Sequence, residues 1–403
     1  MTQPSGALPG PVVTAVKSVY NRLSPDQRGQ LERWLPGAGS ITGVRDILEF
    51  ITNNYRNALD HTAATIAIVG PTNVGKSTLY NQLIAPAEIK ATVSPVPGTT
   101  RVNQEGSAGL FRVVDTPGLN STAAASDVHR RFAFDAARAA DFLVIMFGAD
   151  TGVTPADRSL FDELVALGKP HVVVLNKMDL VRKGNWDKVL GAATANLGID
   201  GSQIIAIAAA KGEQVGAVVL AIAQVEPRLL ISLADALPAY RARLAWQRTL
   251  TAAVASASIA LVPLPMADVV PLLGVQTGLV LTTARIYGYD ITLARAKELI
   301  ATFGVAFAAR TLYRELSKLL GAPGWVLSAA IAASGTVAIG YGSMLWFERG
   351  EKPSQEALQG IMREVGNYLR EQLTRGGKEK PSPKDLGKRI QTALEGLPDR
   401  FRP

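Results

Sequence analysis

The chain has 403 residues, long enough for two or three domains that each bury a core, and a net charge of +8 that is diffuse because acidic residues accompany most basic ones. That spread suits a solvated face rather than a nucleic-acid groove. The absence of cysteine excludes disulfides and thiolate metal sites, and the three histidines (His61, His129, His171) are too few for a histidine-rich metal centre.

Residues 1–11 are rich in Pro and Gly and predict a loose arm; the first six residues lack the basic start and apolar core of a signal peptide. Short helices follow. Val12, Val16, Val19, Tyr20 and Leu23 recur at helical spacing, Ser24-Pro25 reads as a cap with Pro at the first helical position, and Val44, Ile47, Leu48, Ile51 and Tyr55 mark a further helix. Residues 1–61 are therefore read as an N-terminal arm with helices.

From 62 to 228 short apolar runs alternate with helical stretches. The runs Ile66–Val69, Leu110–Val114, Phe142–Phe147, Val172–Leu175 and Ile204–Ala208 are continuous, as strands buried on both faces should be. The alternation predicts an α/β doubly wound domain with ligands at the carboxyl ends of its strands. The motifs fall at those ends.

Gly70-Pro71-Thr72-Asn73-Val74-Gly75-Lys76-Ser77 follows the first run and precedes a helix that opens Thr78-Leu79-Tyr80. This is the phosphate-loop pattern in its proper strand–loop–helix context. Its glycines let successive N–H groups turn inward on a polyphosphate, and the helix adds its unpaired N–H groups and positive end. Lys76 is expected to reach the β- and γ-phosphates and the Ser77 hydroxyl to sit on Mg²⁺. Asp115-Thr116-Pro117-Gly118 ends the second run: Asp115 there can hold Mg²⁺ through water, and the Gly118 N–H can sense the γ-phosphate. Between them, Pro97-Gly98-Thr99-Thr100-Arg101 is placed to close over the metal, with Thr100 favoured over Thr99 as the ligand and a plain turn as the alternative.

Asn176-Lys177-Met178-Asp179 ends the run Val172–Leu175. The Asp179 carboxylate can accept hydrogen bonds from N1 and N2 of guanine, donors that adenine does not offer, and an unpaired buried carboxylate penalises ATP. Asn176 is expected to tie the loop together and the Lys177 stem to cover the base. Ala209-Ala210-Lys211 completes the set, with the Ala210 N–H on the guanine oxygen; Ala209 stands where Ser is usual, which removes a loop-bracing hydroxyl. Four ordered motifs predict GTP and GDP as ligands.

This set resembles the Era-like branch of the translation-factor-related GTPases, which includes ribosome-assembly and tRNA-modification GTPases, over roughly residues 62–228. In that branch the Pro-x-Asn-Val-Gly-Lys-Ser loop often goes with a K⁺ ion, so the resemblance makes Asn73 a candidate K⁺ ligand, with a purely loop-bracing role as the alternative. Leu119 stands where many small GTPases carry a water-positioning Gln, and Leu cannot orient water. The resemblance therefore implies slow intrinsic hydrolysis that needs K⁺, dimerisation or a partner. Asp127, in the following loop, is a candidate to orient water, against the reading of an ordinary surface Asp.

Beyond Pro227 the character changes. Residues 229–349 read as an apolar helical domain and 350–403 as a charged helical tail. No residue from Leu319 to Phe347 carries a formal charge, a stretch long enough to cross a bilayer. Ala330, Ser334, Ala338 and Gly342 recur every four residues, as do Ala332, Thr336 and Gly340, and such small faces allow close helix packing in membranes. The alternative is a buried Ala/Gly-rich core helix. Thr249–Ala284 is a second apolar tract that Pro263, Pro265 and Pro271 should break into a bent hairpin. Leu261–Asp268, Ala284–Asp290 and Ala296–Ile300 resemble a widespread bacterial family, domain of unknown function 697, over about 250–347. That family is regarded as membrane-associated, so the resemblance implies a GTPase tethered to the cytoplasmic face of a membrane, with lipid as a partner and a homodimer or oligomer as a further possibility. The alternatives are an RNA- or ribosome-associated assembly GTPase and a soluble scaffold assembled under GTP control. The first would want a basic Gly-x-x-Gly loop or aromatic stacking platforms, which the C-terminal half does not show.

Overall fold

The computed structural model describes residues 64–84, 104–105, 109–116, 133–260, 269–289, 324–350, 353–375 and 382–398. The N-terminal helices expected over 1–61 lie outside them, as do Thr99, Thr100, Gly118, Leu119 and Asp127. The described residues fall into two compact units, one ending at Tyr240 and one beginning at Arg241.

The first unit is a six-stranded sheet with helices. Its strands are β1 (Ile66–Pro71), β2 (Gln104–Glu105), β3 (Phe111–Thr116), β4 (Phe142–Gly148), β5 (His171–Asn176) and β6 (Ile204–Ala206), in the order β2-β3-β1-β4-β5-β6. All neighbours are parallel except β2, which runs antiparallel on the edge beside β3. The continuous apolar runs become the central strands for the expected reason: every residue of β4 is buried, and Ile66, Ala67, Ile68 and Val69 are wholly inaccessible.

Between the strands lie α1 (Lys76–Ile84), helical residues 133–139, α2 (Pro155–Val165) and α3 (Trp186–Leu197), and α4 (Val215–Val225) follows β6. Local chemistry sets their ends. Thr154 and Asp157 form a capping box before α2, with Pro155 in its first turn, and Gly198 closes α3 in the left-handed region. Phe161 of α2 meets Phe147 of β4 edge-on, with ring centroids 6.5 Å apart, inside a core that also holds Leu143, Ile145 and Val173.

The chain leaves β1 for β3 on one side and returns past it to β4 on the other. The switch point of the sheet is therefore the carboxyl end of β1, where such folds place ligands. Gly70 lies opposite Asp115 and Pro71 opposite Thr116 in the strand register, so the first two motifs share that end.

The second unit is helical: α5 (Arg241–Ile259), α6 (Val269–Ile286), α7 (Gly324–Arg349), α8 (Gln355–Arg375) and α9 (Pro383–Glu395). Helices α5, α6 and α7 pack on one another, and α8 packs on α7. The apolar tract is divided as expected, α5 ending at Ile259 and α6 beginning at Val269, while Pro263 and Pro265 lie outside the described residues and Pro271 does not interrupt α6. Pro271 lies in the first turn of α6, where a missing N–H costs no helical hydrogen bond. The small rows on α7 face different helices. Thr336 hydrogen-bonds Ser256 on α5, and Gly340 approaches α5 so closely that a Cβ would overlap the Thr249 side chain. Ala338 packs on Met362 of α8.

Candidate nucleotide site

The turn Thr72–Gly75 joins β1 to α1 and needs unusual backbone angles. Gly70 (φ 151°), Asn73 (φ 67°) and Gly75 (φ 95°) all have positive φ. Side chains are excluded at both glycines: a Cβ on Gly70 would overlap the Met146 carbonyl of β4, and one on Gly75 would overlap Nδ2 of Asn176. Asn is among the few non-glycine residues that tolerate the left-handed region, and Asn73 is exposed at the tip of the turn. Val74 is buried, Gly75 accepts the first helical hydrogen bond from Leu79, and Ser77 and Thr78 stand half-buried in the opening turn of α1.

Lys76 is 3% exposed, and its ammonium donates to the carbonyls of Gly70 (2.8 Å) and Pro71 (2.6 Å). Burial strengthens the interaction of this cation with any anion that enters the turn, because little solvent remains to screen it. The first-turn N–H groups and positive end of α1 favour an anion in the same place. The backbone cradle, the buried ammonium and the hydroxyl of Ser77 fit a magnesium-bound polyphosphate. Asp115 lies in register with Gly70 at the backbone; its side chain is outside the described residues.

Asn176, 2% exposed, connects three loops. Its Nδ2 donates to the Val74 carbonyl at 2.8 Å, its Oδ1 accepts from the Ala209 N–H at 2.9 Å, and its own carbonyl accepts from Ala149 at 2.8 Å. The Met178 N–H donates to the Ile207 carbonyl at 3.1 Å. The phosphate turn, the end of β4, the Asn176–Asp179 loop and the Ala209–Lys211 turn thus form one hydrogen-bonded end of the sheet. Although Ala209 has no hydroxyl, its buried N–H is satisfied by Asn176. Ala210 and Lys211 are exposed beside it in a turn that Gly212 closes.

Lys177 has a left-handed backbone (φ 67°), and its ammonium pairs with Asp150 at 2.8 Å. Asp150 is absent from the motifs read in the sequence. Its signal was positional: an acidic residue two places past the end of a central strand, on the ligand side of the sheet.

Residues 65–177 match the family model described as "50S ribosome-binding GTPase". The chain is 39% identical to GTPase Der of Rhizobium meliloti over 140 residues, covering 33% of this chain and 29% of that protein. It is 34% identical to GTPase Der of Pseudothermotoga lettingae over 167 residues, covering 36% and 37%. A crystal structure of Aquifex aeolicus Era bound to GDP and AlF4- overlays with a TM-score of 0.34 at 24% identity, covering 47% of this chain and 67% of that one. The chain thus spans little more than a third, or less, of these Der relatives' lengths, and the similarity to them lies in the α/β unit.

Proposed function

We propose that the chain binds and hydrolyses GTP through the α/β unit and that its helical unit meets a membrane surface. The observation that carries the first part is the Asn176 clamp, which joins a phosphate-binding turn to a loop ending in a base-reading carboxylate.

In this reading the N–H groups of residues 73–77 and the Lys76 ammonium hold the β- and γ-phosphates, the ammonium exchanging the Gly70 and Pro71 carbonyls for phosphate oxygens. Asp179 accepts from N1 and N2 of guanine, the Lys177 stem lies along the base, and the Ala210 N–H donates to the guanine oxygen. Ser77 and Asp115 would hold Mg²⁺, which when bound neutralises charge between the β- and γ-phosphates. Thr100 and Gly118 would order on the γ-phosphate and relax after hydrolysis, the usual source of a two-state output. With Leu119 unable to orient water, turnover is slow without help. Asn73, exposed and left-handed at the tip of the turn, is the residue to donate a K⁺ ligand, and Asp127 is the candidate to orient water.

The membrane part is supported by the resemblance over about 250–347 and by α7, whose 26 residues are long and apolar enough to cross a bilayer. Its most apolar window is 83% buried within the unit, as the core helix of a soluble bundle would also be. A peripheral, lipid-facing helical unit on the cytoplasmic face accommodates both facts. The deciding experiment is GTP turnover of the purified chain in K⁺ or Na⁺, with and without liposomes, together with flotation. The proposal expects slow turnover that rises with K⁺, co-flotation, and a change of rate on lipid. Turnover indifferent to both, with no flotation, removes the K⁺ and membrane parts.

The family model's description favours a second reading, a ribosome-associated GTPase. Nucleotide-dependent co-sedimentation with ribosomal subunits, without flotation, would favour it over the lipid reading.

A further inference from the structure

Asp150 sits in the turn after β4, outside every motif of the site. Its Oδ2 accepts from Lys177 Nζ at 2.8 Å, and both side chains are only about a quarter exposed. The pair is held from two sides. Ala149 donates its N–H to the Asn176 carbonyl, locking the turn to the base-reading loop, while Gly148 leaves room for the carboxylate, since a Cβ there would lie 2.6 Å from Asp150 Oδ1. Two residues beyond Lys177 comes Asp179, whose carboxylate has no hydrogen bond or ion pair among the described residues.

A lysine ammonium on a flexible four-carbon stem seeks the nearest anion. Without Asp150, the nearest carboxylate in the same loop is Asp179, two residues away. An ammonium on that carboxylate would occupy the lone pairs that guanine needs and would pull the stem off the base. Opposite charges at about 4 Å attract by about 1–4 kcal/mol between water-like and surface-like surroundings, enough to compete with one hydrogen bond.

We propose that Asp150 is a positioning residue that sets guanine specificity: it holds the Lys177 ammonium away from Asp179, leaving that carboxylate free to accept both guanine donors, and stretches the Lys177 stem along the base. The inference rests on the GTP reading above.

The test is a comparison of dissociation constants for GTP and ITP, whose base lacks the 2-amino group, in the full-length chain. Thermal unfolding is followed alongside to confirm folding. Asp150→Asn is expected to weaken GTP about tenfold, the scale of one charge-assisted hydrogen bond, and ITP by about threefold, so that the preference for GTP over ITP contracts. Adding Lys177→Met, which keeps an apolar stem and removes the charge, should restore most of that preference, and Asp150→Glu should largely keep it. A role confined to bracing the turn predicts equal losses for GTP and ITP and no recovery with Lys177→Met; that result overturns the proposal. A wild-type chain that binds GTP no better than ATP overturns the underlying reading instead, and is recognised before any variant is made.

Discussion

Replacing Asn176 by Ala tests whether one side chain unites the nucleotide loops. The truncation removes two hydrogen bonds and strands two backbone groups, the Val74 carbonyl and the Ala209 N–H. Both residues are buried, at 6% and 0% exposure, so water does not readily replace the lost partner. A buried unsatisfied group costs about 1–3 kcal/mol, which puts the total for the two at about 2–6 kcal/mol. That is a large part of the stability of a typical domain, about 5–15 kcal/mol. Urea unfolding of the variant measures the loss, and a fluorescent-GTP titration measures how much of it falls on binding. Gly75→Ala supplies a cross-check. Its Cβ would overlap Asn176 Nδ2, so part of its cost should vanish when Asn176 is already Ala, while the part due to the φ of 95° should persist. A loss below about 1 kcal/mol for Asn176→Ala with unchanged GTP affinity, or strict additivity in the double variant, would refute the reasoning.

Other perturbations have equally definite outcomes. Asp179→Asn should weaken GTP by roughly 30- to 150-fold, the loss of about 2–3 kcal/mol at a charged acceptor, and improve binding of XTP relative to GTP in competition titrations. Lys76→Ala should cut GTP affinity by at least about a hundredfold, since it removes the buried cation that meets the β- and γ-phosphates; calorimetry reads it directly. Gly340→Leu should destabilise the helical unit by about 3 kcal/mol or more, because the new side chain must displace Thr249 where α7 crosses α5. Glu226, whose carboxyl is held below its ordinary 4.5 mainly by its hydrogen bond to Arg228, contributes stability present above that value and lost as pH falls through the lowered one. Because the Arg228 side chain is 83% exposed, Glu226→Gln should cost under about 1 kcal/mol at pH 7, and the difference should disappear in unfolding curves taken at acid pH.

The sheet was legible in the sequence because parallel strands buried on both faces must be continuous apolar runs, and each such run became a strand within a residue or two. The edge strand Gln104–Glu105 was not, since two polar residues paired on one side leave no periodic signal. The residue types of the site followed from spacing, but its mechanical unity did not. Nothing in the string places Asn176 against Val74, 102 positions away, or shows that Gly75 must be glycine because Asn176 occupies the space of its Cβ. Asp150 escaped notice because a lone Asp after a strand is common; its meaning comes from the ammonium it meets. The prolines of the second apolar tract signalled its division, and α5 and α6 are separate helices there, but only the structure shows that Pro271 falls within the first turn of α6, where its missing N–H is harmless. The small rows on α7 were visible as rows, but which helix each faces depends on tertiary packing.

The central claim is most directly tested by equilibrium titration of the purified full-length chain with GTP, GDP and ATP in the presence of Mg²⁺. The account predicts saturable one-site binding of GTP and GDP and at least a hundredfold weaker binding of ATP, the scale set by leaving the Asp179 carboxylate unpaired against adenine. Equal affinities for GTP and ATP, or no binding of either, would contradict it.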